Sequence, residues 1–355
     1  MRVGDPEPPV DHGPRLSDDP SVEFRPLRFE PYDVLGGVPN VVVDGSATEG
    51  TVLTLSHWPQ SPVPPGLEAD LSAEMAFTYL RRCDLHEPAA VVSNNHFDQD
   101  GLVSVFALVE PDAALTRRQV LVDLASAGDF ATYRDRDAAR TSMTIAAFAD
   151  PVRSPLDETP DDYPTWCAAL YEELLGRLPE LCDHPDRYRE LWAAEDETLT
   201  ASEAVIGSGA VHIEEVPSLD LAVISIPKDA PDTGGHRFGS QWVTGLHPMA
   251  VHNATERLAL LSMRGSRYEL TYRYESWVQY RSRRPRPRVD LRPLAEELTA
   301  DETSGGHWVF EGVETLTPRL YLVGAEESSL VPGIFRSRLE ESLETSAPAW
   351  NPYVS

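Results

Sequence analysis

The feature that most constrains this chain is an apolar run, Ala89-Ala90-Val91-Val92-Ser93, that passes through Asn94-Asn95 straight into His96-Phe97-Asp98-Gln99-Asp100-Gly101. A short run of small and β-branched residues bounded by polar ones predicts a strand buried on both faces. Val41-Val42-Val43 and Val52-Leu53-Thr54-Leu55 have the same character and also end at polar residues. Between them, residues 71–82 have helical spacing, with Asp70 or Ser72 as cap and Glu74 in the first turn. Residues 102–108 continue as a buried helix, and 120–124 read as one more strand. Strands alternating with helices predict an α/β fold, a doubly wound and mainly parallel sheet. Ligands of such sheets sit at the carboxyl ends of the strands.

The rest of the chain divides by composition. Residues 1–38 are rich in Pro, Asp and Gly and predict an irregular leader, whose Val22, Phe24, Leu27, Phe29 and Tyr32 suit a short edge strand or a surface-lying segment, before an α/β domain over 39–150. Residues 151–204 have helical periodicity over 163–178 and 187–202, separated by Pro179 and Pro185, and predict a helical connector. From 205 to 335 strands return, at 219–226, in a hairpin of 257–263 and 268–274 around Arg264-Gly265-Ser266, and at 276–281. A helix is expected over 291–298, so this is a second, smaller α/β domain, with 336–355 as a tail.

The formal net charge of -28 argues against wrapping long duplex nucleic acid, which needs a basic surface, but leaves room for a small phosphorylated substrate in a local basic pocket. No run approaches the roughly 18 apolar residues of a membrane helix. The first ten residues carry no apolar signal core, so a cytoplasmic protein without membrane partners is expected. Cys83, Cys167 and Cys182 are too widely spaced for a paired-cysteine metal site, so any metal must be held by His and carboxylate. Nothing in the sequence fixes an oligomeric state.

Within 96–101, imidazole and carboxylates occupy alternate positions. In an extended segment His96, Asp98 and Asp100 therefore face one side, and Gly101 permits a tight turn. Two carboxylates and an imidazole suit Mn²⁺, Mg²⁺ or Fe²⁺. The plainer alternative is a solvated strand end with Asp100 capping the next helix. His57, in Leu55-Ser56-His57-Trp58-Pro59, is a ligand candidate from a neighbouring strand end, or else a histidine stacked beside Trp58. Asp123 lies among apolar residues and Asp129 follows the small residues of Ala125-Ser126-Ala127-Gly128; a buried carboxylate there needs a partner or an ion. Arg281, Arg283, Arg284, Arg286 and Arg288 form a basic cluster in an acidic chain, suited to phosphate or carboxylate, or else a solvated turn. Gly305-Gly306-His307 makes a turn whose amides and imidazole suit an anion.

Together these segments resemble the DHH (Asp-His-His) phosphoesterase superfamily. His96-Phe-Asp98-Gln-Asp100-Gly101 is similar to its first metal motif, and Ala125-Ser-Ala-Gly-Asp129 to its fourth, with Arg140 downstream. Arg281-Ser282 and Gly305-Gly306-His307 resemble the strand and turn of its substrate-binding domain. The signature triplet is missing; its nearest candidate, Ser56-His57-Trp58, keeps only the central His and precedes the first motif instead of following it. The resemblance implies a metal-dependent hydrolase acting on a small phosphodiester or phosphoanhydride through a metal-activated water. It implies Mn²⁺ held by His96, Asp98, Asp100, Asp129, His57 and Asp123, with Asp98, Asp100 and His57 serving catalysis. Arg281, Arg283 and His307 would then hold the substrate phosphate. Two other readings stay open: a non-catalytic ligand-binding or regulatory protein on the same scaffold, and a metalloenzyme of non-phosphate chemistry.

Overall fold

The structure is a computed structural model and describes residues 24–157, 159–230 and 243–353. The first half is built on a four-stranded parallel sheet of β1 (Arg28–Phe29), β2 (Asn40–Val43), β3 (Thr51–Leu55) and β4 (Val91–Ser93), in the order β1-β4-β2-β3. β2 is internal, and Asn40 and the apolar run Val41–Val43 are all buried, as such a run requires. Seven helices accompany this sheet: α1 (Ser72–Tyr79), α2 (Gln99–Val109), α3 (Pro111–Thr116), α4 (Arg118–Asp129), α5 (Arg136–Ala149), α6 (Tyr163–Asp183) and α7 (Arg189–Gly207). Asp98, Asp135 and Asp162 cap α2, α5 and α6 with their own carboxylates.

The second half carries a mixed six-stranded sheet in the order β10-β11-β8-β7-β6-β5. Its strands are β5 (His212–Val216), β6 (Leu221–Ile226), β7 (Ala259–Arg264), β8 (Arg267–Tyr272), β10 (His307–Phe310) and β11 (Arg319–Val323). Only the β6–β7 pair is parallel. β9 (Arg288–Val289) and β12 (Pro348–Trp350) pair separately, and α8 (Pro248–Ala254), α9 (Arg292–Asp301) and α10 (Pro332–Thr345) complete the described elements. The fold is therefore α/β, with one parallel and one mixed sheet. Among the described residues no helix is long and apolar enough to cross a membrane.

Several expectations are corrected. Residues 120–124 are not a strand but the middle of α4, because Leu121, Leu124, Ala125 and Gly128 recur at helical spacing and all turn inward. Residues 276–281 form no strand; a 3-10 turn over Tyr274–Ser276 leads into an extended clamp described below. α6 runs through Pro179, whose neighbours Leu178 and Leu181 are buried and hold the helix on course. Trp166, Leu170, Tyr171 and Leu174 of α6 lie in the same core as Val41, Val43 and Val92, so this segment is a wall of the first sheet. Of the expected leader, residues 1–23 lie outside the described residues, while 28–29 pair with β4 as β1.

Candidate metal centre

The carboxyl ends of β4, β2 and β3 lie side by side, and each delivers a ligand group as the chain leaves the sheet. Asp44 follows β2 directly, His57 comes two residues after β3, and His96, Asp98 and Asp100 follow β4. Asp44 adopts a left-handed backbone (φ 46°), which an aspartate tolerates better than most residues and which turns the chain sharply off the strand. Its N–H donates to the Leu55 carbonyl at 2.8 Å, so the turn is locked to β3. A side chain at Gly45 would collide with the Asn95 side chain; only glycine lets the β2 and β4 turns approach this closely.

Asp44, His57 and Asp100 present ligand atoms within 4.8 Å of one another, and so do Asp44, His96 and Asp98. Asp44 belongs to both groups because β2 lies between the other two strands. Its Oδ1 is 3.4 Å from His57 Nε2 and its Oδ2 is 3.4 Å from His96 Nε2. Asp129, at the end of α4, brings Oδ2 to 3.5 Å from His57 Nε2, and Asp98 Oδ2 lies 2.9 Å from His96 Nε2. Thus His57, His96, Asp98, Asp100 and Asp129 converge. Asp123 does not: it sits on α4 and accepts from the N–H groups of Arg134 and Asp135, which fixes the turn into α5. Trp58 packs on the His96 ring (centroids 5.3 Å), not on His57 as the stacked-histidine alternative had it.

The His57 tautomer follows from its surroundings. Nδ1 donates to the Asp70 carbonyl at 2.6 Å, so the lone pair of the neutral ring is on Nε2, facing two carboxylates. Asp100 accepts from the N–H groups of Ser72 and Ala73 (both 2.8 Å), and Ser72 Oγ donates to Asp44 Oδ1 (2.8 Å). Asp100 therefore anchors the start of α1, and the cap of α2 is Asp98, through Gly101 N–H. Asp44 Oδ2 and Asp129 Oδ2 are buried with no hydrogen-bond donor.

Burial and mutual repulsion raise most of these groups, and Asp98 alone among them is lowered. Burial, then the neighbouring carboxylates, pushes Asp44 upward and Asp100 and Asp129 well above the usual carboxylate range. Burial would push His96 down, but Asp98 and Asp44 override it and raise its pKa to about 12. Asp98 is held low by His96 against the effect of burial. Such a centre draws positive charge to itself, as protons or as a divalent cation that displaces them. Its two halves differ in access. The side chains of His57, Asp44 and Asp129 are 0%, 1% and 5% exposed, whereas His96 and Asp98 are 22% and 31% exposed.

Sequence reasoning missed Asp44, although the signal was present: Val41-Val42-Val43 runs into Asp44-Gly45 as an apolar strand into an acid and a glycine. It also missed Tyr274, whose buried hydroxyl lies 3.5 Å from His57 Nε2, because 217 residues separate the pair. Of the expected phosphate ligands, Arg281 bonds Gln279 and lies over the Tyr353 ring, while its backbone N–H donates to Asp70 Oδ1 at 2.5 Å. Arg283 is engaged by Asp220 and the Glu256 carbonyl, and His307 is exposed on the outermost strand β10.

No curated protein and no solved structure matches the chain. A family model does, over residues 25–353, a span that takes in the whole cluster and both sheets. The chain belongs to that family, a family of unknown function (DUF6687).

Proposed function

We propose that the protein is a metal-dependent phosphoesterase that hydrolyses a small phosphodiester or phosphoanhydride, as its resemblance to the DHH phosphoesterases implies. The observation that carries this reading is the placement of Asp44 between His57 Nε2 and His96 Nε2, 3.4 Å from each, with carboxylates completing both sides. Oxygen-rich donors with two imidazoles suit Mn²⁺ first, then Mg²⁺ or Fe²⁺. One or two such ions supply a water of lowered pKa and positive charge for the phosphoryl oxygens.

The chain's own groups do the rest. The Asp70 carbonyl holds the His57 ring so that Nε2 faces inward. The first turn of α1 fixes Asp100 through two N–H groups. Tyr274 and Phe130 pack beside His57 and close that side to water, which leaves the His96–Asp98 side for substrate. Arg281 meets Asp70 through its backbone N–H, while its guanidinium bonds Gln279; Arg283 and His307 have other surroundings.

Metal content by elemental analysis and hydrolysis of bis(p-nitrophenyl) phosphate with and without Mn²⁺ test the reading. The intact protein is expected to retain metal and to hydrolyse the ester in a Mn²⁺-dependent way. Asp98→Ala should lose metal and all stimulated hydrolysis while keeping its circular dichroism spectrum. Unchanged metal stoichiometry in that variant overturns the proposal. Metal retained without turnover of any phosphoester in a panel points instead to a binding protein, and metal without phosphate affinity to other chemistry.

A further inference from the structure

The 3-10 turn over Tyr274–Ser276 brings one hydroxyl of the second half against the metal centre. Tyr274 Oη lies 3.5 Å from His57 Nε2, at the same remove as Asp44 Oδ1 (3.4 Å) and Asp129 Oδ2 (3.5 Å). We propose that Tyr274 is the hydrogen-bond donor for the anion bound at this centre, its O–H meeting the innermost oxygen of that anion. The assignment rests on the phosphoesterase reading for the anion's identity, a phosphoryl group.

The centre is rich in acceptors. Ionised carboxylates only accept, and His57 gives its one N–H, on Nδ1, to the Asp70 carbonyl. An anion placed among these acids is repelled by them, and preorganised donors offset part of that repulsion. Tyr274 brings such a donor. Burial, then the charges of Asp129, Asp44, Asp98 and Asp100, raises its pKa, so the hydroxyl keeps its hydrogen and has all four acids within electrostatic reach.

That hydrogen has no good acceptor within the chain. Its partner is His57 Nε2, at the outer limit of a hydrogen bond, and Nε2 is the atom turned toward a cation. Once a cation takes that lone pair, the hydrogen needs another acceptor. Asp44 Oδ2 and Asp129 Oδ2 do not receive it, since both are buried without a donor. An oxygen of an anion that enters from the open His96–Asp98 side completes the bond.

The turn is also built to hold one position. Arg273 and Glu275, on either side of Tyr274, form an ion pair in which each side chain is 3% exposed. Arg273 donates further to the carbonyls of His252 and Thr255. Ser276 Oγ donates to the Arg273 carbonyl at 2.6 Å and accepts from Arg288 Nε at 2.9 Å. A buried pair of this kind adds little net stability, but fully bonded it fixes a geometry. The Tyr274 ring stacks on Trp277 (5.7 Å) and meets His57 edge-on (5.8 Å). A donor held in this way needs no reorganisation when the anion arrives.

Tyr274→Phe removes the hydroxyl and keeps the ring. Calorimetry with inorganic phosphate on the Mn²⁺-loaded, full-length protein compares it with wild type. The variant is expected to keep its circular dichroism spectrum and metal content and to bind phosphate about ten- to a hundredfold more weakly, the loss of one hydrogen bond to a charged oxygen. Fluoride, which accepts hydrogen bonds and is no phosphate, gives a second reading, and the variant should bind it more weakly as well. Unchanged phosphate affinity overturns the proposal. Loss of metal in the variant overturns it too, because the hydroxyl then serves the metal site and not the anion. Should wild type bind no phosphate and hydrolyse no ester while fluoride binds and is weakened by Tyr274→Phe, the donor assignment stands and the phosphoesterase reading falls. No binding of either anion ends both.

Discussion

At the scale of single residues, His57 and Asp44 are both sealed from solvent, and bonds made outside their mutual contact set what each can do. The Asp70 carbonyl decides which His57 nitrogen faces inward, and Ser72 Oγ fixes one Asp44 oxygen. Neither bond is visible in a motif, because Asp70 and Ser72 read only as helix caps. Another buried acid lies far along the chain, on β8. Glu269 is 3% exposed, its Oε1 has no hydrogen-bond partner, and burial raises its pKa to about 7 although Arg319 opposes the shift. An unfolded glutamate ionises near 4.3. Its contribution to stability is therefore full below about pH 4 and is lost as the pH rises through about 7. Glu269→Gln should abolish that decline. Urea denaturation at pH 5 and pH 8 should show the stability difference between wild type and variant changing by roughly 2–3 kcal/mol in the variant's favour at the higher pH. A difference independent of pH would count against the assignment.

At the scale of elements, the strand order β4-β2-β3 is what turns three separate polar turns into one centre. The sequence showed the strands, since short β-branched runs leave little alternative, and it showed His96, Asp98 and Asp100 as candidates, but not on one extended face: Asp98 caps α2 and Asp100 lies in its first turn, on the His57 side. It did not show which strand is central, because pairing is decided between segments tens of residues apart. The misjudged strand at 120–124 has a related cause: a short apolar run is ambiguous until its neighbours define one buried face. As a helix, α4 carries Asp129 to the cluster and points Asp123 toward the next turn. Gly128 makes this approach feasible, since a Cβ there would fall 2.5 Å from Gln99 Cβ on α2. Gly128→Ala should force α4 away from α2, cost about 1–3 kcal/mol as overpacking does, and reduce Mn²⁺ affinity. Denaturation and metal titration of one preparation would show both effects. Loss of stability with unchanged metal affinity would separate Asp129 from the centre.

At the scale of the whole molecule, a segment from the second half closes the first. Gln279 N–H donates to the His57 carbonyl at 2.7 Å, and its side-chain amide to the carbonyls of Trp58 (2.9 Å) and Ser61 (3.2 Å). Ser282 and Arg281 bond Asp70, and Val278 is buried in the core of the first sheet. The groups proposed to bind metal come from residues 44, 57, 96–100 and 129, which meet only in the folded chain. Mn²⁺ should consequently stabilise the native state selectively: at 100 times its dissociation constant, by about 2.7 kcal/mol. A melting temperature raised by Mn²⁺ and lowered again by a chelator is the expected outcome, and no shift would speak against a folded-state site. What the sequence determined alone was local: buried strands, most of the helices, and imidazole and acid groups placed where strands end, because apolar periodicity and side-chain alternation act over a few residues. What only the tertiary structure decided was which of those groups meet. Asp44 entered, Asp123 left, and Tyr274 arrived from the far half, because strand pairing and packing join residues whose separation along the chain carries no record of their contact.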